Sequence, residues 1–388
     1  MRERLATTPP LSTRATRVLL AAGGTGGHIT PAVALAEALA ELAPDLQIQF
    51  CCGNRPTEVQ LYRRLGLDPW ILPVPYNRRG LANRARFVGN MLAAWRRARR
   101  LLRESPVQVA VGFGSYVSVA PLLAARAGGA RLVLHEQNAR PGMANRILAP
   151  FARALATASP LSQRLPLAPP ARVVGNPIRK EIIRGADRAE ARAFFRLRPA
   201  RPVCLCLGGS QGAAGINQIA LELLQRLRES EGPAARWQLL WSTGPAHFER
   251  VWQALQSIGM DPAEHMVSPF IDRMALAYAA ADLVLARAGA LTLAELTALG
   301  RPAVLVPLPT AAGGHQAVNA RRLARAGAAE IIEEADPRAA EKLEALLEKW
   351  AAEPETLESM AQAARQQGRP EAARDLAQLV LEVVLNRG

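Results

Sequence analysis

Two glycine runs carry the first chemical suggestion in this sequence. GGTGGHITP at 23–31 and GGSQGAAGINQ at 208–218 each follow a short apolar run and precede a stretch of helical spacing. A glycine loop between a strand and a helix lets backbone N–H groups approach a phosphate, and the helix N-terminus adds partial positive charge. Such loops occur on many unrelated folds, so the neighbouring residues must decide between chemistries. A P-loop ends in Gly-Lys-Ser/Thr, and neither run contains lysine. A dinucleotide fold needs G-x-G-x-x-G and an acid at the tip of its second strand. The first run lacks the third spacing, and the expected second strand ends in Phe50, Cys51 and Cys52. Instead His28 stands at the expected helix start, where the terminus lowers its pKa and a neutral imidazole is suited to take a proton from a hydroxyl. On spacing alone, capping the helix or touching a partner domain are equally open roles for it.

The elements that must position these residues repeat along the chain. Val18–Ala22, the first glycine run and a helical pattern over Pro31–Leu42 make a strand, loop and helix. Val203–Leu207, the second run and a face of Ile216, Ile219, Leu223, Leu224 and Leu227 repeat that order. Further apolar runs at Val107–Val111, Arg131–Leu134, Ala154–Ala156, Leu239–Ser242, Leu283–Leu285 and Ala303–Val306 alternate with helical patterns. This is the grammar of an α/β protein with two doubly wound units, which 388 residues accommodate, and two units imply a cleft. The boundary falls after the proline-rich stretch Pro166–Pro170, near Gly175–Pro177. The expected division is a disordered tail over 1–16, a first domain over 17–174, a second over 175–365 and a terminal helix over 366–388 that returns to the first domain.

Charge is unevenly placed. Residues 1–175 hold 23 arginines, no lysine and eight acidic residues, and so carry all of the formal net charge of +15. Such asymmetry points to a polyanionic partner: nucleic acid, an anionic membrane or a phosphorylated substrate. The 21 uncharged residues from Ser105 to Ala125 have the length of a membrane span, but Pro106, Gly112, Gly114 and Pro121 interrupt them, so a strand, a glycine loop and a helix start are expected. Cys51–Cys52 and Cys204–Cys206 lie in expected strands without zinc-site spacing, which suggests reduced core thiols. Between Arg78 and Arg103 nine arginines interleave with Phe87, Val88, Met91, Leu92, Trp95, Leu101 and Leu102. The apolar members recur at three and four, which predicts a basic amphipathic helix suited to an anionic leaflet. An outer helix packed on its own sheet has the same pattern.

GGTGGHITP at 23–31, LHEQNARPGMANR at 134–146, VGNPIR at 174–179, LGGSQGAAGINQ at 207–218, the stretch from PFIDRM to AVLVP at 269–307, and HQAVNARRLARAGAA at 315–329 resemble the MurG family in order and spacing. These are bacterial UDP-N-acetylglucosamine:undecaprenyl-pyrophosphoryl-muramyl-pentapeptide N-acetylglucosaminyltransferases, and the likeness runs from about Val18 to Ile332. The resemblance implies the GT-B fold, two Rossmann-like domains with parallel sheets facing an interdomain cleft. It implies inverting transfer of GlcNAc from UDP-GlcNAc to the C4 hydroxyl of the muramyl sugar in lipid I, giving lipid II for peptidoglycan synthesis. No cofactor is implied, and no Asp-x-Asp metal motif is present.

Carried over by position, Ile271 would receive the uracil through its backbone and Glu295 the ribose hydroxyls. Ser210, Arg179 and the backbone of Ala290, Leu291 and Thr292 would meet the diphosphate. Gln316 and Asn138 would bind the GlcNAc hydroxyls, while Thr25, Gly26 and Gly27 would border the acceptor diphosphate and the transferring sugar. His28 and Glu136 are the acid–base candidates. Phe87, Val88, Met91, Leu92 and Trp95 would face the cytoplasmic side of the bacterial membrane, with the protein bound peripherally to its anionic inner leaflet, and cell-wall synthesis proteins are possible partners. No nucleic-acid partner is expected. Ser115 and Val119 stand where the pattern has glycine, and Ala-Ala-Gly-Gly before His315 lacks the polar residue often found there. The competing readings are a UDP-sugar enzyme of the same fold with a soluble acceptor, and a catalytically silent nucleotide-sugar-binding protein.

Overall fold

The computed structural model describes residues 16–74, 81–209, 212–260, 264–311 and 314–386, with the backbone only for 81–86. Of the expected tail, residues 1–15 lie outside the described residues, whereas Thr16 is buried and its carbonyl accepts from Gln47 N. Contacts divide the chain into two compact units, one ending at Val174 and resuming from Ala373, the other running over Gly175–Ala372. The short stretch Asn138–Arg140 groups with the second unit.

The first unit contains β1 (Arg17–Ala21), α1 (Gly26–Leu42), β2 (Gln47–Gly53), α2 (Pro56–Arg64), β3 (Trp70–Leu72), α3 (Leu81–Glu104), β4 (Val109–Gly112), α4 (Val119–Ala127), β5 (Arg131–Glu136), α5 (Met143–Leu148), β6 (Ala152–Thr157) and β7 (Ala171–Val173). Its sheet runs β3-β2-β1-β4-β5-β6-β7, and every pairing is parallel. Because successive side chains on a strand point to opposite faces, Val18 and Leu20 enter one core cluster while Leu19 and Ala21 enter the other. Both faces are covered, which is why β1 and β4 read as unbroken apolar runs.

The second unit follows the same logic. It begins with α6 (Lys180–Arg184), α7 (Arg188–Phe194), β8 (Val203–Leu207), α8 (Ala214–Glu229), β9 (Gln238–Ser242), α9 (Phe248–Ser257) and β10 (Met266–Ser268). It continues through α10 (Met274–Ala280), β11 (Leu283–Ala286), α11 (Ala290–Leu299), β12 (Ala303–Leu305), α12 (His315–Arg325), β13 (Ala329–Ile331), α13 (Ala339–Ala352) and α14 (Pro354–Gln367). The sheet order is β10-β9-β8-β11-β12-β13, again with parallel pairings throughout. Val203, Leu205 and Leu207 face one cluster, Cys204 and Cys206 the other. All four cysteines are buried and unpaired, and burial pushes the Cys52 thiol up to about 12, so these thiols are packing groups.

The last helix, α15 (Ala372–Leu385), places Leu376, Ala377, Val380 and Val384 in the same cluster as Val18 and Leu20. Arg131 donates to the carbonyls of Val383 and Asn386 at its C-terminal end, and Arg172 pairs with Glu382 at 2.8 Å. A cation at a helix C-terminus satisfies carbonyls that have no intrahelical partner.

Candidate functional site

In each sheet the strand order reverses between two neighbouring parallel strands, β1 and β4 in the first unit and β8 and β11 in the second. Loops leaving the carboxyl ends of strands at such a reversal are where open α/β sheets bind ligands. Thr25, Gly26, Gly27 and His28 follow β1 and Ala290, Leu291 and Thr292 follow β11, whereas Glu136 and Asn138 follow β5, Arg179 precedes α6, Ile271 follows β10 and Gln316 follows β12.

In the first unit the loop after β1 carries Thr25 as N-cap of α1 and places His28 three residues into the helix, with Thr25 Oγ1 and His28 Nδ1 3.1 Å apart. Gly114, after β4, lies against the imidazole: a side chain there would begin 3.7 Å from His28 Nε2 and 3.8 Å from Asn145 Nδ2. Gly114 therefore keeps the ring edge accessible. Glu136 ends β5 and is buried, its Oε2 accepting from Gly142 N and Asn145 Nδ2, each at 2.9 Å. The carboxylate thus braces the turn into α5, and Asn145 connects it to the surroundings of Gly114 and His28. Asn138, on that turn, is half-buried, as are Gly26 and Gly27, while Thr25 is exposed.

Two supports of this loop were not singled out from sequence. Glu58 of α2 is buried with Oε2 accepting from Gly53 N at 3.0 Å, and a Cβ on Gly23 would lie 2.5 Å from that oxygen. Arg55 donates from Nη1 to Gly24 O at 3.4 Å and lies over the Tyr116 ring. The signal available was a glycine whose missing side chain is replaced by a neighbour's carboxylate, which only coordinates reveal. Ser115, where the family pattern has glycine, adopts φ 64° and ψ 143°, a region that strains any residue with a Cβ by about 1–3 kcal/mol. Its Oγ meets the open side of Gly24 and accepts from Val117 N at 3.4 Å.

In the second unit the loop after β8 needs glycine for steric reasons. A Cβ at Gly208 would lie 2.4 Å from Ala213 N, and one at Gly212, with φ +78°, would lie 2.3 Å from Thr243 O. Ser210 lies outside the described residues. Beside it, the loop after β11 opens α11 through Gly289, which offers no side-chain cap, so the N–H groups of Ala290, Leu291 and Thr292 form the first turn of a helix start suited to an anion. Arg179, N-cap of α6, pairs through Nη2 with Glu181 at 2.7 Å, and its buried Nε has no hydrogen-bond partner among the described residues. A buried guanidinium N–H left unpaired is costly unless a ligand completes it.

Glu295 lies on α11, half-buried, and accepts from the Tyr278 hydroxyl at 2.7 Å. Loss of water around its carboxyl raises it to about 7, against the Tyr278 hydrogen bond and the Arg179 charge, which both lower it. Ile271 is buried in the segment between β10 and α10. Gln316, at the start of α12, accepts through Oε1 from Leu308 N at 2.9 Å, which turns its amide N–H groups to the remaining side. Asn319, one turn on, donates to Ala288 O at 3.3 Å and ties α12 to the loop before α11.

The basic helix α3 is more closely packed than its pattern suggests. Ala94, Ala98 and Leu102 are buried in the core shared with α4, and Met91 and Trp95 are half-buried against it. Phe87 is half-buried beside Tyr116, with ring centroids 6.0 Å apart. Of the five membrane candidates Val88 and Leu92 are exposed, at 66% and 45%. Sequence reading missed a second apolar surface: Met143 and Ile147 of α5 with Phe151 just beyond are 70%, 46% and 46% exposed. No described helix is long and apolar enough to cross a membrane.

Comparison with known proteins joins these observations. The Glycosyltransferase family 28 N-terminal domain matches residues 18–157 and the Glycosyltransferase family 28 C-terminal domain residues 203–377. The UDP-N-acetylglucosamine–N-acetylmuramyl-(pentapeptide) pyrophosphoryl-undecaprenol N-acetylglucosamine transferase of Prosthecochloris aestuarii is 39% identical over 369 residues, 93% of this chain and 97% of that protein. The same-named enzyme of Acidothermus cellulolyticus is 42% identical over 325 residues, covering 83% and 85%. The crystal structure of Acinetobacter baumannii MurG matches with a TM-score of 0.69 at 29% identity, covering 95% of this chain and 99% of that one. A UDP-GlcNAc 2-epimerase from Neisseria meningitidis, at TM-score 0.63 and 13% identity, shares the fold. The chain belongs to glycosyltransferase family 28, among the MurG-type N-acetylglucosamine transferases.

Proposed function

We infer that the protein transfers N-acetylglucosamine from UDP-GlcNAc to the C4 hydroxyl of the N-acetylmuramyl sugar in undecaprenyl-pyrophosphoryl-MurNAc-pentapeptide, with inversion at the anomeric carbon. The observation that carries this reading is identity of about 40% to enzymes of that name over nearly the whole chain, together with family models that span both switch-point loops. The second unit takes the donor. The start of α11 and Arg179 receive the diphosphate, Glu295 the ribose diol, the backbone at Ile271 the uracil and Gln316 the sugar, with Ser210 on the glycine loop. A carboxylate suits a vicinal diol because both of its oxygens accept.

The first unit takes the acceptor. His28 accepts the proton as the C4 oxygen attacks the anomeric carbon and the bond from that carbon to the diphosphate breaks. Charge developing on the leaving UDP is met by the helix start and the guanidinium. Thr25 fixes the imidazole through Nδ1, and Gly26, Gly27 and Asn138 border the diphosphate and the transferring sugar. Glu136 either exchanges a proton with the acceptor or holds the turn over 137–142. Its two hydrogen bonds favour the second role. Val88 and Leu92, with the arginines of α3, contact an anionic leaflet at the cytoplasmic face of the membrane.

The test is transfer of radiolabelled GlcNAc from UDP-GlcNAc to a lipid I analogue by the purified protein, with UDP-glucose and a non-muramyl acceptor as controls. Lipid-linked disaccharide from the matched pair alone is the expected result. No transfer alongside intact UDP-GlcNAc binding overturns the acceptor assignment.

A further inference from the structure

Tyr278 is a buried tyrosine whose hydroxyl bonds, among the described residues, to Glu295 alone. It sits on α10, 1% exposed, inside the apolar cluster that joins α6, α10 and α11 to the sheet. A phenol in such a place normally needs a partner for its O–H, and here the partner is Glu295 Oε2 at 2.7 Å. Among the described residues the groups acting on the Glu295 carboxyl are this phenol and the Arg179 guanidinium at the start of α6. Of the other helices packed on α11, α12 sends Asn319 to Ala288 O, and α14 places Arg365 against Gly300 at the far end of α11.

We propose that Tyr278 is a positioning residue for the donor's ribose: its hydroxyl holds the Glu295 carboxylate in one rotamer and in its ionised form, and thereby sets a preference for ribonucleotides over deoxyribonucleotides. The inference rests on the assignment of Glu295 to the ribose diol made above. The argument is one of geometry and charge. A carboxylate receives two hydroxyl protons only when ionised, and it does so in one orientation only when one of its oxygens is already fixed. The phenol fixes Oε2 from the buried side, where no water can replace it. A deoxyribose offers one hydroxyl fewer and leaves an acceptor lone pair unmatched in a half-buried site, which costs affinity.

The experiment is isothermal titration of the full chain with UDP and with 2′-deoxy-UDP, from about pH 5.5 to about pH 9, for the wild type, Tyr278→Phe and Glu295→Gln. In the wild type, the preference for UDP is expected to grow about tenfold as the carboxyl ionises around neutral pH. In Tyr278→Phe the ionised form loses its donor, so the midpoint of that rise moves up by about one pH unit. Near pH 7.5 the variant then binds UDP about threefold more weakly, binds 2′-deoxy-UDP as tightly as wild type, and regains its preference near pH 9. A purely structural role predicts equal losses on both nucleotides at every pH, and that result overturns the proposal. In Glu295→Gln the rise of the preference with pH is expected to vanish, because an amide does not ionise. If that rise survives there, the ribose assignment itself fails and the inference with it. If it vanishes there but is unmoved in Tyr278→Phe, only the role of Tyr278 fails. A 3,5-difluorotyrosine at position 278 keeps the ring and hydroxyl but strengthens the donor, so it moves the midpoint down. A midpoint that stays in place also counts against the proposal.

Discussion

The glycine loops after β1 and β8 occupy the same place in two sheets whose first six strands have the same order, yet they are built for different work. The loop after β8 is crowded by backbone: Ala213 N and Thr243 O stand where side chains of Gly208 and Gly212 would be. At Gly208 and Gly212 main chain packs on main chain, and main-chain N–H groups are what a phosphate can use on any nucleotide. The loop after β1 is crowded by side chains, those of Glu58, Val117 and Ser115, and it carries Thr25 and His28 toward the open side of Gly114. The charge follows the same division, since the first 175 residues hold all of the net positive charge. The same order of strand, glycine loop and helix is thus proposed to recognise the donor in one unit and to carry the reactive group in the other.

This contrast is most strongly tested by removing the reactive group. His28→Ala is expected to lower kcat by about 10²–10⁴-fold while KM for UDP-GlcNAc stays within about twofold, measured by steady-state transfer to a lipid I analogue. A comparable rise in donor KM would break the comparison, because the first loop would then be part of the donor site. Glu136 sharpens it. Glu136→Gln retains an oxygen that can accept from Gly142 N, so bracing predicts a loss under about tenfold, whereas a proton-exchange role predicts a loss as large as that of His28→Ala.

The second loop should break in the opposite sense. Gly212→Ala places a Cβ at φ +78° and 2.3 Å from Thr243 O, so the loop must move. Affinity for UDP, read by titration, is expected to fall by about 100-fold, because several backbone contacts shift together. Gly27→Ala, whose added methyl would come no closer than 3.6 Å to Thr25 Oγ1, is expected to leave UDP affinity unchanged. Equal effects of the two substitutions on UDP would remove the distinction between the loops.

Much of this contrast was legible in the sequence and some was not, for identifiable reasons. Parallel strands buried on both faces are unbroken apolar runs, so VCLCL and the glycines that follow it were readable as a strand and a turn. His28 stood out because histidine is uncommon in a glycine loop, but whether it reaches a ligand depends on Gly114, in a loop some 86 residues away in sequence. The Glu136–Asn145 brace and the Tyr278–Glu295 bond join residues 9 and 17 positions apart, across elements whose relative placement no local periodicity encodes. Periodicity set Phe87, Val88, Met91, Leu92 and Trp95 on one outward face of α3, but helices in close approach pack through small residues. Ala94 and Ala98 are buried in the core shared with α4, which draws Met91 and Trp95 half under cover and leaves Val88 and Leu92 exposed. Ser115 was visible as a departure from a glycine pattern, and its strained backbone shows what that departure costs.

The donor side also predicts opposed pH dependences. The folded-state pKa of Glu295, about 7, lies above the value of about 4.3 for an unfolded glutamate, so between these the folded state holds a proton that the unfolded chain has released. Stability is therefore expected to fall as pH rises from about 4.5 to about 7, while affinity for UDP rises over the upper part of that window, by roughly tenfold. Thermal melting and titration of the same samples check both signs. Glu295→Gln should flatten both curves, leaving a protein that melts no lower than wild type at about pH 8 yet binds UDP weakly. Parallel rather than opposed trends would mean that another group governs the donor site.

The smallest expected effect concerns the exposed apolar residues of α3. Val88 and Leu92 are already in solvent, so Val88→Glu with Leu92→Glu should leave melting within about 0.5 kcal/mol of wild type, whereas Met91→Glu, in the α3–α4 contact, should destabilise. Partial insertion of two aliphatic side chains into a leaflet is worth about 0.5 kcal/mol each, and repulsion between the new carboxylates and anionic lipid adds to the loss. Co-sedimentation with phosphatidylglycerol vesicles is therefore expected to weaken by about tenfold or somewhat more, with further weakening at high salt. Transfer to a short-chain, water-soluble acceptor should not change, because neither residue lies at a switch-point loop. The exposed Met143, Ile147 and Phe151 give the alternative its own signature. If vesicle binding survives the α3 pair but is lost in Met143→Glu with Ile147→Glu, the membrane face of the first unit is centred on α5. The arginines of α3 would then act by long-range attraction rather than by flanking the inserted side chains.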